Sequence, residues 1–360
     1  MILNRIKFLL TSILCFAVLL AFPLYAQEEN EVFESAEELA LPESNPESSE
    51  NQAAPVPPAV QTEITTNIGF AGSTRPEMKL VISQDYKVPF MQGNHPLFRG
   101  NNLKFSLKGE AAPIFMMFYG NVVFTPIALI ELDAGGMVGT GWNIGVDENG
   151  QGGLRGIGVN KPYQQLDKDD IFTGKYLTSI DGSAFGGTFL AAHFGAAFQF
   201  NLAAVMPGDW NHIIMKSYHK LACNAFTGAN KDEPWFIFGD YGENRNGWRY
   251  YANHVIGYQM PALPILKMVG FHTEMEKFLY NTPDGENWGD NLARWDLGMV
   301  FNLGFKNFSL AILPQFRLYR NYENYEYYQE ENIFFMDREL KDGFTLKFYR
   351  VAFAFNYQIR

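Results

Sequence analysis

The ionisable side chains that could do chemistry in this sequence do not form compact motifs. They occur one at a time, at every second position of long segments that have the pattern of extended strands. Placed on one face of a strand, such charges could pair with one another or set up an electric field across the path of a passing solute. The candidate residues for this role are Lys104, Lys108, Glu131, Asp133, His193, His272, Glu274, Glu276, Arg294, Asp296, Arg317 and Arg350.

No strong catalytic motif accompanies these charges. The sequence contains no H-E-x-x-H, no G-x-S-x-G, no lysine after a phosphate-binding glycine loop and no cysteine pair placed to hold a metal. A lipase or protease acting at a membrane surface would need a nucleophile or an acid pair, and the sequence offers no triad-like set. We therefore predict that the protein is not an enzyme.

Three further features could bind a metal ion or a phosphate, but each lacks part of the required pattern. His193 and His272 are isolated, and hydrogen bonding in a polar interior is the commoner role of such histidines. Residues 147–150 and 167–170 carry carboxylates that could bind Ca²⁺, without the spacing of a calcium loop. Residues 152–158 are glycine-rich, without the strand and helix that frame a phosphate cradle. We predict no metal and no cofactor.

The candidate charges belong to long segments in which apolar side chains alternate with polar, charged or small ones. The last segment shows the pattern best: apolar residues take every second position from Tyr349 to Ile359, between arginine, alanine, asparagine and glutamine. A period of two residues predicts a β-strand with one apolar and one polar face.

Length and polarity separate two classes of β protein that share this alternation. Strands of soluble proteins typically have about 5–6 residues, whereas strands that cross a membrane at a tilt need about 9–11. Several segments here run for 12 to 16 residues and carry Arg, Lys or Gln in mid-segment. A wet barrel interior tolerates those side chains, and a dry sandwich core does not. The pattern favours a membrane barrel over a soluble β protein.

We predict an all-β fold, a closed antiparallel transmembrane β-barrel of about twelve strands, within a range of about ten to fourteen. Eleven segments alternate clearly. A barrel with both termini on the same side of the membrane has an even number of strands, so a twelfth strand is required. The weakly alternating segment 65–73 is the candidate for it. The other predicted strands are 79–90, 101–110, 113–122, 128–141, 183–200, 211–225, 247–259, 265–279, 291–304, 308–321 and 344–359.

The predicted connections alternate between short periplasmic turns and long outer loops, as in membrane barrels. The short turns are placed at 124–126, 206–209, 261–264 and 306–307. The long loops are placed at 142–182, 226–246, 280–290 and 322–343.

The N-terminal residues 1–26 predict export. Two basic residues precede an apolar run of 15 residues, and Ala26 closes the segment. This is the layout of a cleavable signal peptide, and the run is shorter than the about 20 residues that a spanning helix needs. After cleavage Cys223 is the only cysteine, so no intramolecular disulfide can form.

Residues 27–63 have the composition of a disordered acidic linker rich in Pro, Glu and Ser. They contain ten Glu and no Lys, Arg or Asp, whereas residues 64–360 carry 29 acidic and 26 basic residues. The formal charge of −11 therefore comes from the linker, and the nearly neutral body gives no support for nucleic-acid binding. We predict that the barrel occupies residues 64–360.

From residue 65 onward the chain resembles the outer-membrane β-barrel proteins of diderm bacteria, including uncharacterised barrels of the kind found in spirochaetes. The resemblance rests on the signal peptide, the alternating strands, the terminal strand and the stretch from Phe124-Thr125-Pro126-Ile127-Ala128 to Gly141-Trp142-Asn143. It implies an outer-membrane location, contact with outer-membrane lipid, and assembly by the barrel assembly machinery. Such proteins commonly end in an aromatic residue, and this chain departs from that pattern by ending in Gln358-Ile359-Arg360.

Two functions fit this architecture. The first is a narrow, porin-like channel for small hydrophilic solutes, lined by the twelve candidate residues. The alternative is a surface-exposed adhesion or interaction protein, in which long loops such as the tyrosine-rich segment 319–328 bind an extracellular ligand and the barrel is only an anchor.

Overall fold

The structure is a computed structural model that describes the barrel and parts of its connections. The described residues are 60–75, 78–145, 154, 156–160, 178–179, 187–204, 206, 212–230, 235–237, 244–260, 263–279, 293–324 and 338–359. The predicted signal peptide lies outside them, as does the predicted linker up to residue 59. Within the described residues, no helix is long and apolar enough to cross a membrane.

Twelve antiparallel strands close into one barrel, as the sequence predicts. Going round the barrel, each strand pairs with its two neighbours, and the first pairs with the last. The barrel strands are β1 (Glu63–Ser73), β2 (Met78–Pro89), β3 (Asn102–Ala112), β4 (Phe115–Ile127), β5 (Ile130–Gly141), β8 (Thr188–Asn201), β9 (Ile213–Phe226), β11 (Gly247–Gln259), β12 (Leu266–Phe278), β13 (Arg294–Gly304), β14 (Phe308–Asn324) and β15 (Arg338–Gln358). The segment 65–73, chosen on parity alone, corresponds to β1.

Three short strands form a separate sheet that the alternation pattern did not predict. They are β6 (Ile157–Asn160), β7 (Thr178–Ser179) and β10 (Trp235–Ile237), arranged in the order β10-β6-β7. They lie in the connections from β5 to β8 and from β9 to β11. The end of the barrel that carries them is called the loop end, and the opposite end, where β1 begins and β15 finishes, is called the terminal end.

Two local predictions differ from the structure. The turn placed at 124–126 lies inside β4, whose pairing with β5 shifts register between Phe124 and Ile127, and the chain turns at residues 128–129 instead. In β15 the pairing with β14 shifts beside Gln315, so Tyr349 is bulged. Tyr349 therefore turns into the barrel together with Arg350, whereas strict alternation places it outside; both side chains are buried.

The strand register identifies the inner face of the barrel. Directly paired residues of neighbouring antiparallel strands point to the same face. An unbroken series of such pairs joins Lys104, Val123, Asp133, Gly195, Lys220, Tyr251, Glu276 and Arg294. Residues adjacent to this row, such as Phe105, Leu132 and Phe194, are exposed and apolar. The charged row is therefore the inner face.

An apolar layer packs inside part of the barrel, near the terminal end. Its members project inward from strands β1, β9 and β11 to β15, and Val300 and Leu313 are fully buried. The layer consists of Ala71, Ile214, Val255, Met268, Val300, Ala311, Leu313, Ala352 and Ala354. Side chains thus fill this part of the interior, which alternation alone would assign to a polar lining.

Candidate functional site in the barrel interior

All twelve candidate residues lie on inner faces of the barrel, but the structure divides them between two different surroundings. Seven belong to strands β12 to β15, where they are held in a packed network above the apolar layer. With the inner face of β11 and the layer itself, this region is called the filled wall. The other five belong to β3, β5 and β8. Together with the inner faces of β2, β4 and β9, they form what is called the polar wall.

The filled wall centres on a buried ion pair between Asp296 and Arg317. The Arg317 guanidinium donates from Nε to Oδ1 of Asp296 at 2.7 Å and from Nη2 to Oδ2 at 2.6 Å. Next to it, Arg350 donates from Nε to Gln315 at 2.9 Å. The Tyr349 ring lies 3.9 Å from the Arg317 guanidinium and 4.7 Å from that of Arg350. The bulge at Tyr349 therefore inserts an aromatic ring between two buried cations.

A second part of the filled wall surrounds two glutamates of β12. Glu274 accepts a hydrogen bond from the Tyr251 hydroxyl at 2.9 Å and lies 3.4 Å from Nε2 of His272. Glu276 forms an ion pair with Arg249 at 2.7 Å and another with Arg294. Each carboxylate is buried and has a hydrogen-bond or ion-pair partner. These charges therefore stabilise the wall and do not line an open passage.

The inner face of the polar wall combines buried side chains, such as Val123 and Lys220, with partly exposed ones, such as Lys104, Glu131 and His193. Asp133 contacts His193 Nε2 at 3.1 Å and accepts a hydrogen bond from the Tyr218 hydroxyl at 3.1 Å. Gly195 makes this possible, because a Cβ at that position would lie 2.4 Å from the Asp133 carboxylate. Towards the terminal end, Glu131 pairs with Lys216 at 3.2 Å. These polar groups thus face the barrel interior and remain partly accessible to solvent.

A buried acidic centre lies towards the loop end of the same wall. Glu110 forms ion pairs with both Lys79, at 2.9 Å, and Lys108, at 3.3 Å. The Tyr119 hydroxyl donates to the same carboxylate at 3.1 Å. Two cations therefore share one buried carboxylate, and Lys108 alone among the three charged groups retains appreciable exposure.

Two lysines lie side by side on the inner face near the terminal end. Lys87 and Lys104 are directly paired across β2 and β3 and point inward, and both are partly exposed. Glu63 stands across from Lys87 on β1, yet it forms no ion pair with either lysine within the described residues. Asp85, two residues from Lys87 on the same inner face, is also partly exposed, so the inner face near this opening carries both positive and negative charges.

The loop end of the polar wall is covered by the small sheet, which is called the cap. Trp235 of β10 is fully buried, and its ring centroid lies 5.6 Å from that of Phe189 and 5.7 Å from that of Phe226. Its indole N–H donates to Asn246 at 3.1 Å. Phe189 and Phe226 point inward from β8 and β9, so the cap is seated inside the rim of the barrel and not merely above it.

Several inner residues were not among the candidates. Parity along the strands would have found Glu110, which stands two positions from the candidate Lys108. Tyr349 was missed because of the bulge. The additional residues are Lys79, Lys87, Glu110, Lys216, Lys220, Arg249, Gln315 and Tyr349.

Metal binding has no assembled site in the described part of the chain. No group of three or more His, Cys, Asp or Glu side chains there is placed to hold a metal ion. His193 and His272 each contact a carboxylate on the inner face. The two possible calcium segments, 147–150 and 167–170, lie outside the described residues.

Among the solved structures that resemble the chain are two barrels of low similarity. One is the crystal structure of BamA from Haemophilus ducreyi lacking POTRA domains 1-3, with 8% identity, a TM-score of 0.33, and coverage of 83% of this chain and 70% of that chain. The other is CdiB from Acinetobacter baumannii, with 8% identity, a TM-score of 0.32, and coverage of 83% and 60%. No protein-family model matches the chain, and no curated protein does.

Proposed function

We propose that the protein is an outer-membrane channel for small hydrophilic solutes, with a passage that follows the polar wall. The observation that carries this proposal is the contrast between the two walls. Side chains fill the interior along β11 to β15, whereas the polar wall retains partly exposed charges inside a closed barrel. A barrel of about twelve strands lies between side-chain-filled barrels of eight strands and open porins of sixteen, so its passage is expected to be narrow.

The membrane location is supported by the outer surface, where every barrel strand presents an exposed apolar side chain. A continuous apolar surface around a barrel is what contact with lipid hydrocarbon requires. One such residue from each strand, in chain order, is Ile68, Ile82, Phe105, Phe118, Leu132, Phe194, Met215, Ile256, Phe271, Leu297, Phe316 and Phe348. The partners that follow are outer-membrane lipid and the barrel assembly machinery. The narrower likeness to spirochaete barrels stays a prediction from the sequence.

The substitution Phe271→Arg tests the membrane location. Phe271 is 64% exposed on the outer face of β12, so in a bilayer its replacement places a charge against lipid. We expect the free energy of unfolding in liposomes to fall by about 2–4 kcal/mol. Asn307→Arg, in the exposed turn between β13 and β14, serves as the control and should cost little. Equal effects of the two substitutions would count against a lipid-facing surface.

Single-channel conductance in a planar bilayer tests the passage itself. Lys87 and Lys104 attract negative ions to the opening at the terminal end, so removing their charges should make the passage less favourable to anions. Replacing both Lys87 and Lys104 with Gln should therefore shift the reversal potential in a salt gradient towards cation preference. Lys306→Gln, outside the interior in an exposed turn, is the matched control and should leave the selectivity unchanged.

A folded barrel that gives no conductance steps would overturn the channel proposal. It would favour the alternative function, in which the barrel anchors surface loops that bind an extracellular ligand. Heat-modifiability on a gel would establish folding of the same preparation, so that a silent barrel and a misfolded one are told apart.

A further inference from the structure

We propose that the outer surface of the barrel carries a serine acyl-hydrolase site, formed by Ser217, His219, Tyr250 and His254, that acts on the acyl esters of membrane lipids. The proposal rests on the membrane location, because these side chains meet lipid only when the barrel is inserted. It adds a hydrolytic activity that the catalytic motifs of the sequence did not predict.

The four residues lie on the outer face of strands β9 and β11. Ser217 and His219 alternate along β9 with the inward Lys216, Tyr218 and Lys220. On β11, His254 is directly paired with Ser217, and Ala252 is directly paired with His219. All four side chains are partly or well exposed. They therefore form one polar cluster on a surface whose exposed side chains are mostly apolar.

The geometry is that of a nucleophile, its base and a residue that orients the base. Ser217 Oγ lies 3.0 Å from Nε2 of His219, and His219 Nδ1 lies 2.6 Å from the Tyr250 hydroxyl. With the imidazole proton on Nδ1, His219 donates to Tyr250 and its Nε2 accepts the serine proton. A serine, a histidine that can take its proton and a group that fixes the histidine are the parts that acyl transfer requires.

His254 supplies a second nitrogen at the nucleophile. Its Nδ1 lies 2.9 Å from Ser217 Oγ, on the side away from Tyr250. The backbone N–H groups of the two strands are used in their ladder, which runs without a register shift from Gly247 to Tyr258. Charge that develops on a carbonyl oxygen beside Ser217 therefore needs a side-chain donor, and we assign that role to His254.

Strand pairing does not explain the cluster. The backbone pairing between β9 and β11 is continuous, so these strands do not need side-chain hydrogen bonds to hold them together. Two histidines, a serine and a tyrosine on a lipid-facing surface are costly compared with the Leu, Ile or Phe found elsewhere on the outer face. The channel proposed above uses the inner face and makes no use of them.

The surroundings of the cluster suit an acyl chain. Phe198 stands across from Ser217 on β8, and Phe271 stands across from Ile256 on β12; both rings are exposed. Between these aromatic rings, the residues paired with His219 on either side are only Ala196 and Ala252. Ala196 is exposed, whereas Ala252 is buried. A lipid chain can therefore pack over Ala196, next to Phe198 and Ser217.

The reaction proceeds in two steps and uses water as the second substrate. Ser217 Oγ attacks the ester carbonyl carbon while His219 takes its proton; the carbon–oxygen bond to the alcohol then breaks, and His219 passes the proton to the departing alcohol. Water next attacks the acyl-serine with His219 again as base. The products are a fatty acid carboxylate, a proton and a lysolipid.

The test uses the full chain refolded in detergent, with a phospholipid bearing a fluorescent acyl chain in mixed micelles. We expect release of the labelled fatty acid, and a loss of about a hundredfold or more in kcat/KM for Ser217→Ala and for His219→Gln. His254→Phe should lower kcat by about a hundredfold, as removal of an oxyanion donor does. The matched control is Thr273→Ala, on the outer face across from His254, which should leave the rate of hydrolysis unchanged.

Tyr250 is a positioning residue and needs a separate readout. Tyr250→Phe should lower kcat by about tenfold or more while KM stays unchanged, because the substrate does not contact the hydroxyl. A merely structural role would instead lower the folded fraction on a heat-modifiability gel and leave kcat per folded molecule unaltered.

Covalent labelling identifies the nucleophile independently of turnover. A long-chain alkyl fluorophosphonate should lose fluoride and phosphonylate Ser217, as mass spectrometry of the labelled chain would show. Absence of both hydrolysis and labelling in a barrel that inserts and conducts would overturn this site and leave the channel standing. Hydrolysis by a folded but electrically silent barrel would support the site and overturn the channel. Activity retained by Ser217→Ala would also overturn the assignment.

Discussion

Replacing Asp296 with alanine is expected to lower the free energy of unfolding of the barrel by about 3–5 kcal/mol, because it leaves the Arg317 guanidinium buried without its carboxylate. Both side chains are nearly inaccessible, with exposed fractions of 6% for Asp296 and 3% for Arg317. The two parallel hydrogen bonds between them satisfy both carboxylate oxygens. The substitution therefore removes the charge and the acceptors together.

Urea unfolding in liposomes, followed by the fluorescence of the neighbouring Trp295, would measure this loss. A double-mutant cycle with Arg317→Met provides the control. The double variant should be destabilised by clearly less than the sum of the two single substitutions, since removing both partners leaves no unpaired buried charge. Additive effects in the cycle would show that the pair contributes nothing beyond its two separate side chains.

The distribution of charge inside the barrel has a consequence for the channel. Arginine residues that alternation places in the interior are not automatically part of a passage, because Arg317 and Arg350 are buried in the filled wall. Their neutralisation should alter stability more than ion selectivity. Selectivity is expected to follow the partly exposed lysines of the polar wall instead.

Alternation along the chain was sufficient to predict eleven of the twelve barrel strands, and the requirement for an even strand number supplied β1. A lipid-facing apolar surface and a polar interior impose a period of two on every strand, so β13 and β14 could be identified from their side chains alone. The cap could not be identified in this way, because β10 has three residues and makes its contacts through Trp235 with strands distant in sequence. The bulge at Tyr349 breaks the parity on which the prediction depended.

The outer-face cluster shows a second limit of the sequence. Ser217 and His219 are two positions apart on β9, so their common face could be predicted. Tyr250 and His254 lie on the next barrel strand, and only the register between β9 and β11 brings them to His219 and Ser217. That register depends on a long connection whose length does not determine it. A triad assembled across strands is therefore invisible to motif searches.

The substitution Trp235→Ala is expected to increase the conductance of the barrel without destabilising its wall. Trp235 is the residue that seats the cap between Phe189 and Phe226, and truncating a fully buried tryptophan typically costs about 3–5 kcal/mol. Since the barrel strands pair with one another and not with β10, this cost falls on docking of the cap. The ratio of undocked to docked cap should rise by about a hundredfold or more.

Single-channel recording would show this change as larger or longer-lived open steps, while urea unfolding of the barrel stays within the range of the unmodified protein. Trp248→Ala is the matched control, because it truncates the same residue type at the loop end of β11, where the side chain is exposed on the outer face. If Trp235→Ala and Trp248→Ala conduct alike, the cap does not obstruct the polar wall. If only Trp235→Ala opens the barrel, the cap is the gate of the passage, and the conformations of β6 and β10 set the access of solutes to Asp133, His193 and the other polar groups behind it.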